Sequence, residues 1–221
     1  MYATVENSKP DLKAYKGNLT ISVGGANSPF LQDFMTVEEI RGEMGWPLDY
    51  TSVKGLIPYI SRLGDNATGI EIGTCRGESA YLILETCPNV KTIHCIDPWV
   101  AYDDWVGNLD QETMDKFEAI TRKNLEQFGD RANIIKNKAD DVVDQFKDES
   151  VDFVFVDGDH SYEATLKDIE NYYSKVRKGG IFSGHDYNLE PVRQAIEEFR
   201  NKNKVRIPIQ KTINSVWFWY K

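Results

Sequence analysis

Apolar runs and amphipathic stretches alternate along most of this chain. GIEIGT (69–74), KTIHCIDP (91–98), ANIIKNK (132–138), VDFVFVD (151–157) and GGIFSGHDY (179–187) read as five buried strands. Between them, ESAYLILETC (78–87), DQETMDKFEAITRKNLEQFG (110–129), ADDVVDQF (139–146) and EATLKDIENYYSKV (163–176) read as helices. In the second of these, Met114, Phe117, Ile120 and Leu125 recur at near-helical spacing. The fourth is expected to stop at Lys178–Gly179–Gly180, and PVRQAIEEFRNKN (191–203) opens with Pro191 in its first turn. VRIPIQK (205–211) and SVWFWYK (215–221) alternate and lie close together, which predicts a closing antiparallel hairpin. The alternation implies an α/β fold, a doubly wound and mostly parallel sheet with helices on both faces.

Upstream the pattern dissolves. Residues 1–45 mix glycine, asparagine, proline and charge and are read as an N-terminal extension that caps part of the core. Within them TVEEIRGEM (36–44) has the form of a short helix, with Thr36 as N-cap and Glu39 at the capping-box position. TSVKGLIPYISRL (51–63) is helical in spacing, with Pro58 expected to disturb it.

Composition narrows the function classes. A net charge of -9 argues against a general nucleic-acid binder, which needs a basic face. Three cysteines without C-x-x-C spacing, no apolar signal core and no membrane-length apolar run lead to the expectation of a reduced, cytoplasmic protein off the membrane.

In an open parallel sheet, ligands bind beyond the carboxyl ends of the strands. The first strand ends in EIGTCRGES (71–79), where Gly73 and Gly77 bracket a tight turn into a helix. The second ends in Asp97, placed either to accept from the two hydroxyls of a ribose or to cap the turn before Pro98. The fourth ends in DGDH (157–160) and the fifth in His185–Asp186. Two successive strands ending in acid and imidazole reduce the appeal of a merely polar turn. His94, inside the second strand, reads as a structural histidine. WVAYDDWVGN (99–108) reads either as a lid or as a loop packing its tryptophans on the core.

On these residues the chain resembles class I S-adenosylmethionine-dependent methyltransferases, from about Gly69 to the final hairpin. The resemblance implies a Rossmann-like, seven-stranded sheet, with the methyltransferase domain over 46–221. It also implies a cofactor site of Glu71, Gly73, Thr74, Cys75, Gly77, Ser79, Asp97, Ala139, Asp140 and Asp157. Trp99 either stacks near the adenine or packs in the core. VDGDHSY followed by GGIFSGHDY resembles the divalent-metal-dependent O-methyltransferases of catechol and macrocin type. That likeness implies magnesium or manganese on Asp157, Asp186 and His185, and His160 as the base. His185 stands where relatives carry an acidic or amide residue, so it is a ligand, a substrate contact or the base itself. The implied partner is a small hydroxylated acceptor such as a sugar, glycoside, polyol or phenol, and a homodimer built on the N-terminal segment is a further expectation.

Overall fold

The computed structural model describes residues 21–23, 26–28, 52–104 and 107–221, without side chains at 21–28 and 103–108. The chain divides into two compact units, Met1–Leu48 and Asp49–Lys221. In the first, β1 (Ile21–Val23) and β2 (Ala26–Ser28) form an antiparallel pair. The helix expected over 36–44 and the capping role expected for residues 1–45 lie outside the described residues.

The second unit opens with a 3-10 turn, Ser52–Leu56, leading into α1 (Ile57–Ile60). Pro58 stands in the first turn of α1, where a missing N–H costs nothing, so it starts the helix where disruption was expected. Five strands then run parallel: β3 (Ala67–Ile72), β4 (Val90–Asp97), β7 (Ala132–Lys136), β8 (Val151–Val156) and β9 (Val176–Gly184). β11 (Trp217–Tyr220) lies antiparallel to β9, and β10 (Gln210–Lys211) antiparallel to β11. The sheet order is β10-β11-β9-β8-β3-β4-β7.

Helices connect these strands. α2 (Glu78–Thr86) packs on α3 (Gln111–Glu126), and α5 (Tyr162–Tyr172) packs on α6 (Glu190–Lys202). Asp110 and Ser161 act as N-caps, accepting from the Thr113 and Ala164 N–H groups. α4 (Ala139–Val142) is a single turn after β7. One core cluster joins Ile70, Val154 and Phe182 of the sheet to Ile169 of α5 and Phe199 of α6. Phe153, Phe155 and Ile181 are fully buried as well, the pattern of a central parallel strand covered on both faces.

Two expectations need correction. Lys178–Gly180 does not stop the helix. α5 ends at Tyr172, a 3-10 turn follows, and the glycine pair lies inside β9. There the ladder to β8 jumps from Val151↔Val176 to Phe153↔Ile181, so extra residues bulge from β9 beside the Arg177–Asp152 ion pair at 2.7 Å. The closing hairpin is real, but its first strand is two residues long. Pro208 has no N–H for a ladder, and 205–209 stay irregular.

From β3 the chain moves to β4 and β7, and from β8 it moves the other way to β9. The adjacent pair β3 and β8 is therefore the topological switch point, where open parallel sheets form their ligand crevice.

Candidate active site

Backbone bonds carry four strand ends to that crevice. Gly73 donates its N–H to Ile96 O at 2.9 Å, Asp157 to Ile72 O at 2.8 Å and His185 to Val156 O at 3.0 Å. Gly73 has φ +85°, and a Cβ there would stand 2.2 Å from the Asp157 carbonyl oxygen. The glycine turn and the acidic end of β8 thus touch through bare backbone. Gly77, also left-handed at φ +81°, is the N-cap of α2.

Beyond this contact the acids and imidazoles meet. His160 Nε2 is 2.8 Å from Asp186 Oδ2 and 3.9 Å from Asp157 Oδ1. His185 Nδ1 is 3.0 Å from Asp186 Oδ2 and 3.4 Å from Asp157 Oδ1. Burial alone would neutralise all four groups, but the mutual hydrogen bonds and charges prevail. His160 is raised to about 10 and His185 to about 11, because hydrogen bonds and charge from both carboxylates outweigh desolvation. Asp157 and Asp186 fall below the ordinary carboxylate value, the two imidazoles overcoming the same burial. The cluster thus favours its charged forms, carboxylates paired with protonated imidazoles.

Ligand atoms of Asp157, His160 and Asp186 lie within 4.8 Å of one another, a grouping able to hold a cation. The expected set named His185 with the two acids. In the structure His185 Nδ1 makes ion-pair contacts with both carboxylates, while His160 falls in the convergent group.

The expected cofactor residues divide by location. Glu71 is 1% exposed, and its Oε2 has no hydrogen-bond partner among the described residues. Burial first, then the charge of Asp157, raises its pKa well above normal, with the Thr74 hydroxyl opposing only in part. Thr74 is itself buried. A buried acid with an unmet oxygen at a glycine turn suits an ammonium or other donor of a ligand. Asp97 spends one bond from each oxygen on its own chain, accepting from Cys75 N–H at 2.9 Å and Trp99 N–H at 2.8 Å. Each oxygen keeps a second acceptor direction.

Other members are turned inward. The Cys75 carbonyl accepts from Trp99 Nε1 and from Thr121 Oγ1, both at 2.7 Å. Trp99 is completely buried, so its ring has no face open for stacking in this structure. Ser79 Oγ is 2.8 Å from Ser52 Oγ. Ala139 O accepts from Tyr172 Oη at 2.6 Å, and the Asp140 carboxylate is held by Lys167 and by Asn171 Nδ2.

The 99–108 stretch is not wholly irregular. β5 (Tyr102–Asp104) and β6 (Gly107–Leu109) pair antiparallel, and Gln111 ties their base to Trp99 O and Ala101 N–H. His94 Nδ1 accepts from Asn133 Nδ2 at 2.8 Å and lies edge-on to Phe146. It lines a hollow of ≈ 320 Å³ with Thr68, Asn133, Gln145 and Val151, toward the amino ends of the strands and away from this chemistry. The three cysteines are free. No helix among the described residues is long and apolar enough to cross a membrane.

Two features escape sequence reading. Arg76 and Glu78, both buried, pair at 2.6 Å within the glycine turn, and Arg76 also lies over the Phe117 ring. The arginine-x-glutamate spacing in a glycine turn was the available signal. Asp168, on α5, is buried beside the DGDH segment. It carried no signal, because LKDIEN reads as an ordinary polar helix face.

Residues 70–187, just over half of the chain, match the family described as "Methyltransferase domain". An uncharacterized protein of Acanthamoeba polyphaga mimivirus is 31% identical over 126 residues, 56% of this chain and 52% of that protein. The chain thus spans about half the length of the curated relative it matches. Among solved structures, an O-methyltransferase from Bacillus cereus in complex with SAH superposes at TM-score 0.60, with 20% identity, over 84% of this chain and 89% of that one. The O-methyltransferase NovP superposes at TM-score 0.58, with 19% identity, over 78% and 77%. At these identities the likeness to solved structures is one of fold.

Proposed function

The chain belongs to the methyltransferase-domain family, and from that premise we propose that it transfers a methyl group from S-adenosylmethionine to a hydroxyl of a small sugar, glycoside, polyol or phenol. The observation that carries this reading is the contact of Gly73 with Asp157. It brings the glycine turn, which follows the unmet Glu71 oxygen, against the end of β8 that carries Asp157, and this supports a shared site.

The donor, when bound, supplies an electrophilic methyl on a sulfonium. Glu71 offers its unmet oxygen to the ammonium of the donor's methionine part, and the backbone at Gly73 and Gly77 allows close approach. The remaining lone-pair directions of Asp97 suit ribose hydroxyls. His160 or His185 holds the proton of the acceptor hydroxyl as methyl moves, and both contribute chiefly by orientation.

The donor set of Asp157, Asp186 and an imidazole fits a divalent cation, magnesium for the oxygens or manganese for the nitrogen. Such a cation would supply a Lewis acid for the acceptor oxygen and remove the negative charge that holds a proton on His160. A metal-free histidine mechanism is the second reading; in it one imidazole has to give up the proton that the two carboxylates favour before it can act as base.

Calorimetry with S-adenosylhomocysteine tests the donor, and methyl transfer to a panel of hydroxylated acceptors tests the reaction. Absence of binding sinks the reading. Turnover unchanged in excess chelator removes the metal and leaves the histidine route.

A further inference from the structure

Asp186 follows β9 in a left-handed backbone, φ +57°, a conformation that residues with a Cβ seldom adopt. Such backbone persists where its surroundings fix it, and it gathers at functional sites. Its own turn contributes one bond, from Leu189 N–H to Asp186 O at 2.9 Å. Two further bonds come from the far end of the chain. Trp217 Nε1 donates to His185 O at 2.8 Å, and Tyr187 N–H donates to Ser215 O at 3.0 Å. Asn214 and Ser215 are themselves left-handed, at φ +57° and +61°, so uncommon backbone lies on both sides of that last contact.

Trp217 is fitted closely to this place. It lies opposite Gly184 in the ladder of β9 and β11, where a Cβ would stand 2.4 Å from Trp217 Cζ2. Bare backbone is what leaves room for the indole. The ring is completely buried, tilted on Phe182 and stacked on Trp219, so its N–H is aimed by packing. A phenylalanine would fill much of the same space, and what tryptophan adds is one donor. The need to satisfy a buried indole does not explain the bond. Trp219, equally buried beside it, has no hydrogen-bond partner for its Nε1 among the described residues. The carbonyl that Trp217 holds is one residue from Asp186, whose Oδ2 stands 2.8 Å from His160 Nε2.

Resting on the reading of the acid–imidazole cluster as the reaction centre, we infer that Trp217 is a positioning residue. Its indole N–H holds the His185 carbonyl and so fixes the left-handed turn that aims the Asp186 carboxylate at Asp157 and His160. The test compares the full chain with Trp217→Phe, which keeps an aromatic ring and removes the N–H. Mn²⁺ affinity, followed by electron paramagnetic resonance, is expected to fall about 10- to 100-fold, the cost of losing an outer partner of a ligand. Exchange of the Tyr187 amide is expected to quicken about 3- to 10-fold, as for one lost hydrogen bond, with Gly73 and Asp157 amides within about twofold of wild type. Calorimetry with S-adenosylhomocysteine is expected to give the wild-type affinity. Unchanged Mn²⁺ affinity or unchanged Tyr187 exchange in the folded variant overturns the inference. An equal loss of S-adenosylhomocysteine affinity marks a role in the fold alone and overturns it too. Should the variant fail to fold, wild type decides: Tyr187 N–H and the Trp217 indole N–H are expected to exchange as slowly as Asp157 N–H, and fast exchange at either overturns it. Wild type that takes up no Mn²⁺ overturns the cation reading instead, and the amide exchange then decides the inference.

Discussion

At Asp157 and Asp186 the chain holds two carboxylates against two imidazoles, and the pH dependence of stability follows. His160 is raised from 6.5 to about 10, so its contribution is complete below pH 6.5 and drains away as pH climbs toward 10. The depressed acids work in the other direction, contributing above their usual 3.8 and failing as pH falls below it. Asp168, raised to about 7, adds a decline of the same sign as His160 in a lower window, from about 4 to 7. In chelator, the thermal midpoint is therefore expected to fall between pH 6.5 and 10, and to fall less in His160→Gln. A midpoint that rises across that range contradicts the pairing. If His160 is the base, the same variant loses about 10²- to 10⁴-fold in turnover while its affinity for S-adenosylhomocysteine holds. At this scale the sequence was legible wherever chemistry ended an apolar run, as at Asp157, His160, His185 and Asp186. It was opaque where a buried acid sat on an amphipathic helix, as at Asp168, because burial depends on what packs above the helix.

The elements around the crevice put strict demands on backbone. At Gly73 the left-handed φ and the 2.2 Å approach of Asp157 O leave no place for a methyl group. Gly73→Ala is expected to cost about 3 kcal/mol or more and to weaken cofactor binding, read by denaturant unfolding and calorimetry. Retained stability and affinity would mean the β3 and β8 ends do not touch as described. The parallel core was readable because doubly buried strands are written as unbroken apolar runs with helices between them. The displaced register of β9 was not, since Lys178–Gly180 offers the same residues whether it ends a helix or bulges a strand. The short β10 had a sign in the sequence, Pro208, which has no N–H to give a ladder.

For the molecule as a whole, a ligand bound only by the folded state stabilises it by mass action. At about a hundred times its dissociation constant, S-adenosylhomocysteine would add roughly 2.7 kcal/mol. In a protein of this length that corresponds to about 5 to 10 °C in thermal midpoint. A scanning-fluorimetry shift of that size is expected for wild type, and no shift at saturating ligand would place the molecule outside donor chemistry.

The last strand also has a bearing on how the protein is made. Trp217 of β11 donates its indole N–H to His185 O, and Ser215 O accepts from Tyr187 N–H, so both sides of Asp186 are held from the far end of the sequence. A chain emerging from the ribosome has its glycine turn and Asp157 long before it has β11. Until residues 215–220 arrive, the second acid–imidazole pair has only its backbone bonds to β8 and to Leu189, among them His185 N–H to Val156 O. The second acid–imidazole pair thus gains its last backbone contacts only when the final strand is in place.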